Sequence, residues 1–255
     1  MSGRGTLLLS LILALGPAAC AAGEPVPAQA EHAPAPSGSD DATVHHPFDE
    51  PEKWAKVFDD PGRDAWQKPA ETIAALGLRA GMIAADLGAG TGYFESYLSR
   101  AVGPAGMVLA IDPEPEMVQY LGQRARKDGL TNVLPILGLN DEPFLPKGLV
   151  DRVLITDTYH HIDDRLAYFG RMREALAPGG KVAVVDFHKR PLPVGPSLEH
   201  KLSREQVLEE MQKSGWRLAE EKTFLPYQYF LIFEPAAPGA GTGAEDGRGN
   251  GGAPR

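Results

Sequence analysis

The 255-residue chain has a single cysteine, Cys20, and aromatic residues make up only 7% of it. One cysteine rules out an internal disulfide framework and a thiolate metal centre, which leaves only sites built from histidines and carboxylates. Positive charge is also scarce: 25 Lys and Arg stand against 34 Asp and Glu, for a net charge of -9. An acidic surface repels a phosphate backbone, so DNA or RNA is disfavoured as the main partner, although a local basic patch is still allowed. Long apolar runs are missing too. The run from Thr6 to Leu15 is too short to span a bilayer comfortably as a permanent helix.

That run follows Arg4 and precedes the small residues Gly16-Pro17-Ala18-Ala19-Cys20, the layout of an export signal that is removed from the mature protein. Its end resembles a bacterial lipobox, with Pro17 where leucine is usual. The resemblance implies lipidation of Cys20 and a membrane-anchored lipoprotein facing the periplasm or the outside. The alternatives are ordinary cleavage near Ala22, an uncleaved anchor, or a cytoplasmic protein with a misplaced start. Residues 1–20 are thus expected to be a signal peptide. Residues 21–43, rich in Ala, Pro, Ser and acids, read as a disordered tether. Residues 44–234 form the folded domain, and the Gly-rich stretch 235–255 reads as a disordered tail.

Within 44–234, short apolar runs alternate with helical patterns. Met82–Leu87, Met107–Ile111, Asn132–Leu137, Val150–Thr156 and Lys181–Phe187 read as strands. Helical spacing follows the first two, and Asp163–Ala177 reads as a helix stopped by Pro178-Gly179-Gly180. Ser203 suits the N-cap of a helix to about Ser214. Gly215–Glu221 and Tyr227–Phe233 then read as strands with no room for a helix between them, so they should pair antiparallel. The expected fold is α/β: a doubly wound, Rossmann-like, seven-stranded sheet, mostly parallel with one antiparallel strand near the C-terminus.

The chemistry centres on Asp86-Leu87-Gly88-Ala89-Gly90-Thr91-Gly92, where the first strand turns into the first helix. Such a turn needs residues that tolerate positive φ and no side chain in the way of a ligand. The plain alternative is a glycine-rich surface turn. A dinucleotide fingerprint requires Gly or Ala at the sixth position, and Tyr93 (counting from Gly88) or Glu95 (from Gly90) stands there instead. No Gly-Lys-Ser/Thr follows, so a P-loop fails as well. Asp112 ends the second strand, where an acid can accept both ribose hydroxyls of an adenosine ligand. A helix N-cap is its ordinary alternative, since Pro113 follows.

DLGAGTGYF, the acid in AIDPEPEMV, NDEPFLP before VDRVLITD, and LAPGGKVAVVDF resemble motif I and the succeeding motifs of class I S-adenosylmethionine (SAM)-dependent methyltransferases. The resemblance runs from about Pro69 to Phe233 and is nearest to the methyltransferase-domain group related to ubiquinone/menaquinone C-methyltransferases. It implies SAM as cofactor, with Asp86, Gly88, Gly90 and Gly92 around its methionine part and Asp112 on its ribose. Asp141, or adjacent Asn140, would meet the adenine amino group. Asp157, Tyr159, His160 and His161 would face donor and acceptor.

A histidine near neutral pKa suits a general base for an O or N acceptor, so His160 and His161 are the catalytic candidates; consecutive residues cannot share a face, and a structural histidine is the ordinary reading of each. Arg63 or Gln67, on a helix covering the cofactor, could contact the SAM carboxylate, or belong to a solvated face. Trp54 and Phe58 read as core. The acceptor is expected to be a small or lipid-like molecule. Two other readings are a SAM-binding or scaffold protein without activity and, disfavoured by Tyr93, a nicotinamide-dependent oxidoreductase.

Overall fold

The computed structural model describes residues 48–237. The expected signal peptide with Cys20, the tether and most of the Gly-rich tail lie outside them.

Three short helices come first: α1 (Pro51–Phe58), α2 (Arg63–Gln67) and α3 (Pro69–Ala75). There follow β1 (Ile83–Leu87), α4 (Glu95–Val102), β2 (Met107–Asp112), α5 (Pro115–Lys127), β3 (Val133–Leu137) and β4 (Val150–Thr156). The described part closes with α6 (Arg165–Met172), β5 (Leu176–Phe187), α7 (Arg204–Lys213), β6 (Trp216–Lys222) and β7 (Gln228–Pro235). The seven described strands form one sheet in the order β3-β2-β1-β4-β5-β7-β6. The first five are mutually parallel, and β7 is antiparallel to both β5 and β6, so it is the single reversed strand, as the helix-free hairpin implied.

Strand periodicity of two separates the core into two layers. Ala85, Leu87, Leu109, Ile111, Val153 and Ile155 turn toward Phe169 and Met172 of α6 and Val207 and Met211 of α7. Their neighbours Ala84, Val108, Leu154, Ala183 and Val185 turn toward Ile73 and Leu76 in the α3 region and Leu98 and Val102 of α4. Helices on both faces explain why the central strands are apolar at nearly every position. The chain winds outward in both directions from β1 and β4, and ligands bind at the carboxyl ends of strands at such a switch point.

One expectation needs correction. The helix expected over Asp163–Ala177 ends at Met172 and passes through a 3-10 turn, Arg173–Ala175. Pro178-Gly179-Gly180 lies inside β5 as an irregularity and stops no helix: pairing with β4 shifts register from Val150↔Leu176 to Arg152↔Lys181. Gly179 takes a positive φ of 79° there, which is the backbone freedom a bulge requires. The cap on α7 falls where expected, with the Ser203 hydroxyl accepting from the Gln206 amide at 3.1 Å. No helix among the described residues is long and apolar enough to cross a membrane.

Candidate active site

The glycine turn is tied to the neighbouring strand. The amides of Gly88 and Ala89 both donate to the Ile111 carbonyl, at 2.9 and 3.0 Å, and the Gly92 amide donates to Ala89. Gly88, Gly90 and Gly92 all have positive φ. Gly88 also has no space for a side chain, because a Cβ there would run into Thr158, just past β4. The turn therefore bends closely around the strand ends, and this geometry depends on glycine.

Asp112 stands opposite. One carboxylate oxygen accepts from the Gly90 amide at 2.8 Å and the other from the Glu114 amide at 3.0 Å. Each oxygen keeps a further lone pair, enough for a pair of hydroxyls. Burial raises Asp112 to about 6 although both amides pull it down. Asp86 is more deeply buried. Burial raises it as well, partly offset by a hydrogen bond to Glu95 and by Arg63. Glu95, on the first turn of α4, is buried against Asp86 and is raised in its turn by burial and by that neighbour.

Asp157 directly follows β4 in a left-handed conformation, φ 56°, rare for a residue with a side chain and a mark of functional sites. It closes a ring of polar groups. Gln228 Nε2 donates to Asp157 Oδ1 at 2.5 Å, Gln67 Nε2 donates to Gln228 Oε1 at 2.8 Å, and Arg63 Nε donates to Gln67 Oε1 at 3.3 Å. Arg63 returns to Asp157 Oδ2 at 3.6 Å. Gln67 is thus engaged inside the protein and is not available for a cofactor carboxylate. The Arg63 guanidinium stacks 4.2 Å from the Tyr93 ring centroid, so the residue that excluded a dinucleotide turn supports the cover.

The N-terminal segment lies over the turn. Phe58 is the nearest side chain to the open side of Gly90. It packs with Trp54 and Phe48, and all three rings are only partly buried, so Trp54 and Phe58 belong to a cover and not to the core. Arg124 of α5 binds both Asp59, at the end of α1, and the Thr91 carbonyl of the turn, each at 2.8 Å.

Beyond β4 the two candidate histidines separate. His160 is buried, and its Nδ1 lies 2.9 Å from Oδ2 of Asp186, near the end of β5. Burial lowers the histidine's pKa, but the adjacent Asp186 carboxylate outweighs this and leaves it raised. His161 is half-buried, and its ring meets Phe48 of the cover at 6.1 Å. The Tyr229 hydroxyl, in register with Asp186 across β5 and β7, is buried without a partner. Asp141 is exposed on the stretch after β3, where its carbonyl accepts from Arg171. Sequence reasoning missed Asp186 and Gln228. Asp186 carried a signal, as an acid at the carboxyl end of an apolar strand. Gln228 carried none.

The carboxyls suit SAM. Asp86 and Asp157 both feel the Arg63 charge and Asp86 also that of Asp112; a sulfonium and an ammonium between these carboxyls would favour their ionised forms, and Arg63 suits the single carboxylate. The Thr91 hydroxyl, buried and without a partner, adds a spare polar atom beside the turn. Among the described residues no cluster of three or more histidines and carboxylates could hold a metal ion.

Comparison with known proteins agrees. Residues 84–180 match the family described as Methyltransferase domain. The ubiquinone/menaquinone biosynthesis C-methyltransferase UbiE of Pasteurella multocida is 32% identical over 120 residues, covering 46% of this chain and 44% of that protein. The UbiE of Bordetella avium is 28% identical over 130 residues, 51% of this chain and 50% of that one. The chain thus spans about half the length of these curated relatives. A SAM-dependent methyltransferase from Aquifex aeolicus superposes with a TM-score of 0.68 at 29% identity, over 72% of this chain and 97% of that one. The described body has the fold of the SAM-dependent methyltransferase from Aquifex aeolicus, and its residues 84–180 match the Methyltransferase domain family.

Proposed function

We propose that the chain is an active SAM-dependent methyltransferase whose acceptor is a small molecule with an ionisable hydroxyl. The observation that carries the acceptor reading is the His160–Asp186 pair at the ends of β4 and β5, beside the glycine turn and Asp157. When bound, SAM supplies an electrophilic methyl on a sulfonium, so the protein's work is alignment, exclusion of water and proton removal. Gly88, Gly90 and Gly92 would admit the methionine part, Asp86 and Asp157 would line it, Asp112 would take the ribose hydroxyls, and Asp141 would meet the adenine amino group. With Nδ1–H donated to Asp186, Nε2 of His160 carries the lone pair that takes the acceptor's proton. The Phe48–Trp54–Phe58 cover, with His161 against it, keeps water from the transfer.

Transfer of labelled methyl from SAM to a panel of phenols, enols and amines tests this. Labelled phenol or enol products that disappear in His160→Gln support the reading. Binding of SAM with no transfer to any hydroxylated acceptor sinks it in favour of a SAM-binding protein without activity.

We further propose that the domain acts outside the cytoplasm on a lipid tether at Cys20. The apolar run Thr6–Leu15 and the small residues before Cys20 support this. Mass analysis of the native N-terminus should find an acylated Cys20, and an intact Met1 in the soluble fraction would contradict it.

A further inference from the structure

On a chain with a net charge of -9, the segment His188-Lys189-Arg190 directly after β5 is a local concentration of basic residues. Together with Ser203, Arg204 and Glu205 it lines an open cleft of about 450 Å³. Arg204 is already paired: it grips Glu221 at 2.8 and 2.5 Å, with Glu205 at 3.5 Å. Lys189 and Arg190 are exposed, and among the described residues neither pairs with a carboxylate. Lys189 and Arg190 thus bring two cations without a paired carboxylate to a cleft whose lining also includes Glu205 beside the paired Arg204.

The backbone carrying them is fixed. The His188 amide donates to the Tyr227 carbonyl at 3.0 Å, and the Arg190 amide donates to the His188 carbonyl at 2.7 Å. Arg190 reaches the Pro226 carbonyl with one guanidinium nitrogen at 3.3 Å. From below, the Lys201 ammonium donates to the Arg190 carbonyl at 3.2 Å. Lys201 is itself almost fully buried, 5.8 Å from the Phe187 ring, and it feels the Asp186 charge. The cations therefore sit on a segment tied to the floor of the site.

The cleft also adjoins the proposed base. His188 is two residues beyond Asp186, a step of roughly 7 Å along an extended strand. Its ring meets that of Tyr229 at 5.9 Å, and Tyr229 is the register partner of Asp186. The cleft is thus linked through His188 and Tyr229 to Asp186, the carboxylate that holds His160.

We propose that this cleft is an acceptor subsite for an oxyanion, a carboxylate or a phosphate, carried by the same molecule whose hydroxyl His160 deprotonates. The proposal rests on the methyltransferase reading. Lys189 supplies a point charge and Arg190 a planar fork, both suited to carboxylate and phosphate. A polyanion is repelled by the acidic surface around the patch, whereas one oxyanion at the end of a small molecule is not.

Titrations of the full chain with inorganic phosphate and with benzoate, at constant ionic strength, test the subsite. Saturable binding of either anion is expected, weakened at least about tenfold in Lys189→Gln/Arg190→Gln and kept in Lys189→Arg/Arg190→Lys. Phosphate binding alone indicates a phosphorylated acceptor, and benzoate binding alone a carboxylated one. SAM is titrated into each protein in parallel. No anion binding while SAM binds, or equal anion binding by the wild type and the double glutamine variant, overturns the subsite and leaves the methyltransferase reading standing.

Discussion

Nδ1 of His160 and Oδ2 of Asp186 lie 2.9 Å apart, bridging the segment after β4 and the end of β5. Asp186 is fully buried and also accepts from the Phe187 amide at 2.8 Å, so its carboxylate is held in place. It fixes the histidine's tautomer and raises its pKa.

A base must be unprotonated to act. The transfer rate should therefore rise with pH along a limb set above the ordinary histidine value of 6.5. Asp186→Asn removes the neighbouring charge and should move that limb to lower pH. His160→Gln should lower kcat by about a hundredfold or more with SAM affinity unchanged. A limb that stays in place in Asp186→Asn would contradict the pairing.

The buried acids make a second pH prediction for the ligand-free protein. Burial raises Asp112 to about 6 from 3.8, and Asp86, Glu95 and Asp157 are raised for the same first reason. A carboxyl with a raised folded-state pKa gives stability that is present below its unfolded value and is lost as pH rises through the folded one. His160, also raised, acts in the same direction. The melting temperature should fall between about pH 4 and the neutral range, with Asp112 contributing up to about pH 6. Thermal scans across that range, with a rise as the contrary result, check it.

The turn should not tolerate a methyl group. Gly88→Ala places a Cβ against Thr158 and forces positive φ on a residue that resists it. A loss of about 1–3 kcal/mol from strain is expected, more if Thr158 cannot move, together with weakened SAM binding. Urea unfolding and calorimetry measure the two effects. Gly77, also at positive φ but with open space around it, is the control: Ala there should leave SAM binding intact.

Gln228→Leu tests the polar ring under the cover. It leaves Gln67 and Asp157 without their shared partner in a buried setting. Stability should drop by about 1–3 kcal/mol in denaturant unfolding. An unchanged midpoint would show that the ring does not hold the cover.

The sheet was largely legible because parallel strands covered on both faces stay apolar throughout, and glycines and caps mark their ends. The glycine turn and Asp112 were readable for the same reason: they fall at strand ends. The bulge at Pro178-Gly179-Gly180 was misread because the same residues serve to end a helix or to interrupt a strand, and only pairing with Val150 and Arg152 decides. The cover was misjudged because Trp54 and Phe58 have core chemistry while their burial depends on what lies beneath them. Gln228 gave no local sign, since its role comes from contacts 161 residues away at Gln67 and 71 residues away at Asp157.

Calorimetric titration of the full chain with SAM, beside Asp112→Ala, tests the central claim most directly. The account predicts one saturable site in the wild type and a loss of affinity of at least about tenfold in the variant, as expected when hydrogen bonds to a charged group are removed. No heat at saturating SAM, or equal affinity in the two proteins, would contradict it.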